Sequence, residues 1–370
     1  MKQDNGSFYH IIFKKLRKNT LGVLSFSVIV LAAVISIFSY FFATDKTEDA
    51  NRQDLTIAYA PIGYKQLTIE IPLPNYSDKF NFSDYLFGKK IDSEQISISS
   101  YKTEGDFIIY TPYLGDGISG EPIKINSSSW TKYGIKKDEI EKKFIFTKTY
   151  LLGTDSYGRD FYSRLIIGTR ISFLIGFIAV FISLLVGVTL GALAGYYKGK
   201  TDNFIMWIIN VVWSIPTLLL VIAITLGIGK GFWQIFIAVG LTMWVEVARV
   251  VRGQFLSYRE KEFVEAAKAL GFSDRRIIFN QILPNVVAPI IVISAANFAS
   301  AILIESGLSF LGIGAQPPTP SWGNIIKEHY NHIILGKQHL AILPGLAIML
   351  LVLGFNIFGN VLRDIMDIKN

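Results

Sequence analysis

Five stretches of this chain contain no aspartate, glutamate, lysine or arginine: residues 21–43, 171–197, 203–229, 286–304 and 338–362. A hydrocarbon layer about 30 Å thick is crossed by roughly 20 apolar helical residues, so each stretch spans or nearly spans a bilayer. A sixth run, 231–245, is shorter, and Val247 and Ala248 extend it beyond Glu246. The reading is an all-α, polytopic membrane protein with six spanning helices. A soluble alternative would have to bury five long uncharged helices on every side, which ordinary globular composition does not provide. Residues 21–43 exceed the roughly 7–15 apolar residues of a signal-peptide core, and Phe-Phe-Ala-Thr-Asp-Lys is a poor cleavage site, so this run is read as a retained first helix.

The net charge of +7 is unevenly placed. Residues 44–150 hold 14 basic and 16 acidic side chains, a balance of −2, whereas the remainder carries 22 against 13, or +9. Lys2, Lys14, Lys15, Arg17 and Lys18 precede the first span, and Arg249, Arg252, Arg259, Lys261, Lys268, Arg275 and Arg276 lie between the fourth and fifth. Six crossings put both groups on one side, together with Lys198, Lys200 and Arg363, as basic cytoplasmic loops require. The basic residues therefore orient the chain among membrane lipid and do not imply nucleic acid. Both termini are expected in the cytoplasm. Cysteine is absent, which excludes disulfides, thiolate metal sites and cysteine nucleophiles.

The chain divides into a basic amphipathic start (1–20), the first helix (21–43), a polar insertion (44–150) and a five-helix body (151–370). Alternation in Leu67-Thr68-Ile69-Glu70-Ile71 and Ile96-Ser97-Ile98-Ser99, and the run Phe107-Ile108-Ile109-Tyr110, read as half-buried strands. Turns are expected at Pro72/Pro74, at Pro112 and across Gly115–Gly120. By parity this β-rich insertion lies outside the cytoplasm. In the loop 250–284, Phe263, Ala266, Ala267 and Leu270 share one face of a short helix stopped by Gly271. Ser273 then caps a second helix over 274–282, which Pro284 closes.

The string EAAKALGFSDRRIIFNQILPN at 265–285 resembles the EAA loop of ABC-importer permeases. The resemblance implies that Glu265, Ala266, Ala267 and Gly271 form a coupling helix seated in a groove of an ATPase subunit. It makes Leu283, Pro284 and Asn285 the return to the membrane. Gln281 stands where that family often has His or Ile. A rigid helix pinned by a glycine turn suits the transmission of a rigid-body push. Residues 305–323, ESGLSFLGIGAQPPTPSWG, resemble the signature after helix 5 in the peptide/nickel branch of the family, in the C-type member of the permease pair. Its residues Glu305, Ser306, Gly307, Gln316, Pro317, Pro318, Pro320 and Trp322 are assigned to the outer face, as an outer-gate or binding-protein contact or as a loop that fixes helix geometry. Proline stiffens that stretch, and Trp322 suits a membrane interface. LGTDSYGRDFYSRLIIGTRISF at 152–173 is similar to the segment entering helix 2 of that branch, with Gly153, Asp155, Gly158, Arg159, Asp160, Ser163, Arg164 and Arg170 matching. Asp155, Arg159, Asp160 and Arg164 are read as salt-bridged scaffolding.

The resemblance, which excludes the insertion, implies the type I ABC importer permease fold in a bacterial inner membrane. It implies alternating access between this subunit and a second homologous permease, two ABC ATPase subunits that bind ATP and magnesium, and an extracytoplasmic substrate-binding protein. Substrates of that branch are dipeptides, oligopeptides, nickel chelates or glutathione, with peptides the leading reading. Within the chain itself no catalytic residue, metal site or cofactor is expected. Gly199-Lys200-Thr201 imitates a phosphate-binding loop, but Ala194 stands where its first glycine belongs and a membrane helix precedes it. Gly115, Gly117 and Gly120 likewise lack a following apolar helix. His10, His329, His332 and His339 have no metal-ligand spacing, and His329 and His332 are read as surface groups. An ion-coupled transporter would need buried acids or bases in mid-membrane; only Glu246 approaches that, it lies near the cytoplasmic end of its helix, and it is read as an interfacial ion pair with Arg249 one turn away. Pro216 is expected to kink the third span, beside the translocation path or merely to shape the helix. A membrane-anchored sensor working through 51–150 would need neither the further helices nor an ordered loop pair.

Overall fold

The computed structural model describes residues 14–367 apart from 78, 80, 230 and 231, so Lys2, His10 and most of the amphipathic start lie outside the described residues. Residues 14–18 are helical, and Asn19 then caps α1 (Thr20–Ile37) by accepting a hydrogen bond from the Gly22 amide at 3.0 Å. After a break at Phe38, α2 (Ser39–Phe42) completes the first apolar run. In α1 only Gly22, Ser25 and Ser36 are buried, so most of this helix faces outward. Its start rests on the last helix, since a Cβ at Gly22 would meet Leu16 at 2.8 Å and Val361 at 2.9 Å.

The insertion is a sheet with its own core. Strands β1 (Tyr64–Pro72), β2 (Ser93–Glu104), β3 (Phe107–Gly115), β4 (Ile118–Ser119), β5 (Ile123–Asn126) and β6 (Ile145–Tyr150) pair antiparallel in the order β4-β3-β2-β1-β6, with β5 on β3. The strand period of two turns Leu67, Ile69 and Ile71 to one face, where they pack with Ile98, Ile108 and Trp130. Trp130 is fully buried and its indole N–H donates to the Glu70 carbonyl at 2.8 Å. A short helix, α3 (Phe82–Phe87), joins β1 to β2; α4 (Ser128–Thr131) and α5 (Lys137–Phe144) close the core. Pro112 is not at a turn: it lies inside β3 opposite Ile98, next to a register shift that accommodates its missing N–H. Tyr64 pairs with Tyr150, so the chain enters and leaves the sheet side by side.

The body begins with α6 (Phe161–Tyr197), 37 residues and therefore about 55 Å long, well beyond what the bilayer needs. It packs along α9 (Phe232–Arg259) through glycines spaced four apart. A Cβ at Gly187 would lie 2.7 Å from the Trp244 carbonyl oxygen, at Gly191 2.5 Å from that of Ala248, and at Gly195 2.7 Å from that of Arg252. Gly240 answers from α9, where a Cβ would meet Ile182 at 2.7 Å. Small residues on one helical face let two backbones approach this closely inside a membrane, where van der Waals packing rather than water expulsion drives association.

Between these two helices the expected third span is not a single kinked helix. It is α7 (Gly199–Trp213) followed by α8 (Thr217–Ile228), bent by 92° across Ser214, Ile215 and Pro216. Pro216 stands as the N-cap of α8, where its lack of an N–H is harmless, and the turn at Ser214 and Ile215 supplies the change of direction. Among the described residues five helices are individually long and apolar enough to cross, and counting the bent pair as one span brings the number to six.

After α10 (Glu262–Ala269) comes α11, which runs unbroken from Asp274 to Phe310. Pro284 does not close a helix. Residues Ile277–Ile282 form a π turn, and the Leu283 amide reaches back to the Ile278 carbonyl. The widened ladder accommodates the proline ring and the amide hydrogen it lacks. Helices α12 (Trp322–His329) and α13 (His339–Asp367) complete the body, with α13 packed on α11 and α1.

The glycine seam yields a direct test. Gly191→Val forces the α6 and α9 backbones apart and is expected to destabilise the purified protein by on the order of 1–3 kcal/mol, read as a lower midpoint of thermal unfolding in detergent. Gly253→Ala, on α9 where nothing lies within 4 Å of an added Cβ, should leave that midpoint unchanged or slightly raised.

Candidate functional site

Two constellations stand out, one at each end of the long helices. The first is the loop between α9 and α11. Lys261 is the N-cap residue of α10, and Gly271, at φ +75°, takes the left-handed conformation that ends it, with the Phe272 amide returning to the Ala267 carbonyl at 3.1 Å. Val264 and Ala267 point inward and join Val251, Phe255, Ile277, Ile278 and Ile282 in one apolar cluster. The face thus differs from the expected one: Ala267 is an anchor, whereas Phe263, Ala266 and Leu270 are exposed beside Glu265. Among the described residues Glu265 has no ion-pair partner, which leaves its charge available. Ser273 occupies the N-cap of α11 but makes no side-chain cap; instead Asp274 accepts a hydrogen bond from the Tyr196 hydroxyl at 2.6 Å.

The remaining predicted residues of this loop sit on its stem. Gln281 and Leu283 are half-buried, and Pro284 and Asn285 are exposed, with the Asn285 side chain donating to the Gln281 carbonyl at 2.7 Å. A cleft of about 390 Å³ bounded by Ser273, Arg275, Arg276, Phe279 and Asn280 opens next to the stem. Ionic ties hold the surroundings rigid. Arg252 grips Asp202 through two hydrogen bonds at 2.5 and 2.7 Å, Arg259 donates to the Tyr196 carbonyl at 2.5 Å, and Lys198 pairs with Glu260 at 2.6 Å. Lys198 thereby holds the Glu260 carboxyl below the usual carboxylate range. Glu246 is exposed and does not pair with Arg249, whose guanidinium instead lies 3.6 Å from the centre of the Trp213 ring.

The second constellation ties the segment 44–60 to 151–164. Gly158, at φ +69°, lets the turn press against the Asp54 backbone, which an added Cβ would strike at 1.7 Å; Gly153 does the same against Ala60 at 2.3 Å. That turn delivers Asp155 to two arginines. Arg159 bonds Asp155 at 2.6 Å and Glu328 at 2.8 Å, while Arg164 lies 3.5 Å from Asp155 and 3.6 Å from Glu328. Asp155, Arg159 and Arg164 are almost completely buried. Asp160 is separate: it accepts from Thr44 and Ser163, and burial pushes its carboxyl up from the ordinary range.

His329 and His332 are not surface groups. His329 is fully buried beside Phe161, with Nδ1 2.8 Å from the Ile325 carbonyl, and His332 Nε2 lies 2.6 Å from the Tyr59 hydroxyl. Burial holds the His329 imidazole below its ordinary pKa, with Asp155 and Glu328 pulling weakly the other way. Asp155, Glu328 and His329 have ligand atoms within 4.8 Å of one another, but both carboxylates are already engaged by Arg159 and Arg164. That donor set suits an ion-pair network better than a cation.

The predicted signature 305–323 wraps around the end of α11. Glu305 is fully buried and accepts from Ser309 at 2.7 Å, with the hydroxyls of Ser172, Ser306 and Ser321 gathered round it. Gly314 and Gly323 let the loop fold onto Ser309 and Ser306, where Cβ atoms would collide at 1.9 and 2.7 Å. Trp322 packs against protein: it is 4% exposed and its indole N–H donates to the Leu165 carbonyl at 3.1 Å. Gly307 is half-buried with open space beside it, and Gln316, Pro317 and Pro318 are exposed while Pro320 is buried. Arg164 donates to the Pro318 carbonyl at 3.3 Å, which joins this loop to the ionic network.

Residues 187–369, which include the α10 loop and the Glu305 loop, match the family model for the binding-protein-dependent transport system inner membrane component. The glutathione transport system permease protein GsiD of Pectobacterium atrosepticum is 41% identical over 223 residues, covering 60% of this chain and 74% of that relative. The chain belongs to this permease family. The dipeptide transport system permease protein DppC of Alkalihalophilus pseudofirmus is 43% identical over 217 residues, 59% of this permease and 71% of its own length. Among solved structures, the inward-facing MetNI methionine ABC transporter aligns with 96% of its chain and 56% of this one at 16% identity and a TM-score of 0.46, too distant to add to the assignment. The family places the permease in the inner membrane and makes its transport dependent on a binding protein. The sheet of the insertion lies outside the matched family region.

Sequence reasoning missed Glu328, which comes from more than 160 residues beyond Asp155 and carries no local signal. Arg159→Met removes one guanidinium from the buried Asp155 and the half-buried Glu328 and is expected to destabilise the permease by about 3–5 kcal/mol, read as loss of monodisperse protein on size-exclusion chromatography. The sign for His329 follows from its neutral, buried state. The unfolded chain takes up the proton first, near pH 6.5, so stability is full above that value and falls as pH drops toward the lower folded pKa. Thermal midpoints measured from pH 8 to 5 should decline on the acid side, and His329→Asn should flatten that decline.

Proposed function

We propose that this permease is the membrane-spanning subunit of an ATP-driven importer for small peptides, with α10 as the element that receives the stroke of separate ATPase subunits. The observation that carries the reading is mechanical. A short helix presents Phe263, Glu265, Ala266 and Leu270 outward, while Val264 and Ala267 bolt it to the ends of α9 and α11. Displacement of a part so attached moves the long helices as bodies, because packed apolar contacts shift between discrete arrangements instead of deforming. Gln281, Leu283, Pro284 and Asn285 act as the stem through which the motion enters α11.

In this reading the loop and residues 14–18 face the cytoplasm, where Arg252, Arg259, Lys268, Arg275 and Arg276 favour retention, and the insertion faces outward. A second homologous permease completes the path, a binding protein delivers substrate from outside, and two ATPases bind ATP and magnesium. The permease itself carries out no hydrolysis. The names of the two relatives, one for dipeptides and one for glutathione, support a small peptide as cargo. The Glu305 loop, buttressed from α6 and α12, is the outer-face element whose packing changes when access alternates.

The test separates coupling from folding. Glu265→Arg should leave the permease in the membrane at its normal level while weakening co-purification of the ATPases about tenfold or more, as loss of a charge-complementary contact does, and uptake of labelled dipeptide or glutathione should fall with it. Gly271→Pro, which the left-handed backbone cannot accept, should abolish uptake. Normal association and uptake in both variants would overturn the coupling assignment.

A further inference from the structure

The insertion carries a helix that its own fold does not explain. Helix α3 begins with a capping box in which the Asn81 amide donates to Asp84 at 2.8 Å, and ends at Gly88, at φ +80°. None of its residues is buried, although its sequence is Phe-Ser-Asp-Tyr-Leu-Phe. Phe82 is 78% exposed and Phe87 62% exposed. The core of the sheet gathers Tyr110, Phe144 and its aliphatic residues around Trp130, and no residue of this helix belongs to it.

Its position relative to the spans is fixed. The Gly88 backbone lies so close to the first apolar run that a Cβ there would meet Tyr40 at 2.7 Å and the Glu48 backbone at 2.9 Å. The Glu48 amide donates to the Lys89 carbonyl at 3.0 Å, and the Lys89 amide to the Lys46 carbonyl at 2.9 Å. Two markers give the level of the hydrocarbon boundary. Phe41 and Phe42 end the uncharged run 21–43, and Arg170 is the last charge before the uncharged run 171–197. The Arg170 guanidinium lies 5.7 Å from the Tyr40 ring and 5.4 Å from the Phe87 ring. The Phe41 and Tyr85 rings are 6.4 Å apart, and Phe41 and Phe42 are themselves exposed. The aromatic patch is therefore continuous with the outward, apolar face of α1, where Leu24, Leu31 and Ile37 are also exposed.

We propose that α3 is an interfacial foot: it rests at the headgroup–acyl boundary of the leaflet on the insertion's side and holds the sheet at a fixed tilt over the transport helices. The occupant of the patch is lipid. Aromatic rings favour that zone of the membrane, and Lys79 and Lys90, exposed on either side of the helix in sequence, have the reach to meet phosphates. The foot adds a lipid contact to the protein contacts that residues 43–63, the end of β6, Tyr40 and Arg170 make with the insertion.

The absence of cysteine makes the test clean. Phe82→Cys, Phe87→Cys and Ser83→Cys on the helix, and Ile118→Cys on exposed β4, are each labelled with an environment-sensitive fluorophore in the full-length permease. The protein, with whatever subunits accompany it, is reconstituted into phosphatidylcholine/phosphatidylglycerol vesicles. Shallow doxyl lipid should quench positions 82, 83 and 87 several-fold more than position 118, and iodide in the water should do the reverse. Ser83→Cys preserves both phenylalanines and guards against a label that disturbs the patch. Equal iodide quenching at 82, 83, 87 and 118 would place the helix in water, and protection from both quenchers would mean a protein partner covers it; either result overturns the proposal.

Discussion

Everything mechanical in this permease depends on how closely α6 and α9 approach each other. Gly187, Gly191 and Gly195 bring the backbone of one helix against the carbonyls of Trp244, Ala248 and Arg252 on the other, over more than two turns. In lipid, where apolar side chains gain little by leaving one apolar neighbour for another, close backbone contact is the main source of helix adhesion. The seam continues without a gap into the cluster of Ala192, Tyr196, Val251 and Phe255 that holds Val264 and Ala267 of α10. The exposed helix is thus the end of a continuous packed column.

At the other end the same long helix is held by charge. Arg159 and Arg164 at its start bind Asp155, Glu328 and the Pro318 carbonyl, which joins the turn before α6, helix α12 and the Glu305 loop. Buried ion pairs add little net stability but are costly to break singly, so such a network enforces geometry more than it raises the folding free energy. The cavity of about 430 Å³ between the insertion and residues 44–52 is lined by Asp45, Arg52, Glu70, Lys89 and Asp92, which already satisfy one another.

The failures of sequence reading share a cause. Val264, Ala267, Phe263 and Leu270 all obey helical spacing, but spacing alone could not say which side of an eight-residue helix meets the membrane body. Pro284 looked like a terminator because the π turn before it has no sequence signature. His329 looked solvated because its helix, Trp322–His329, is short and carries Asn324, Lys327 and Glu328, and its burial comes from Phe161 brought in by the fold. Pro216 did mark a break, yet a proline alone does not specify a 92° bend.

The sequence by itself determined five of the apolar helices, the strand-forming character of the insertion, the glycine that ends α10 and the chain's family motifs. These follow from local terms: hydrocarbon length, side-chain period and backbone handedness act on residues a few positions apart. Tertiary structure alone decided that Glu328 meets Arg159, that Trp322 is buried, that the outward face of α10 excludes Ala267 and that Phe87 lies beside Arg170. Those outcomes depend on contacts between segments tens to hundreds of residues apart, which packing selects and no local pattern encodes.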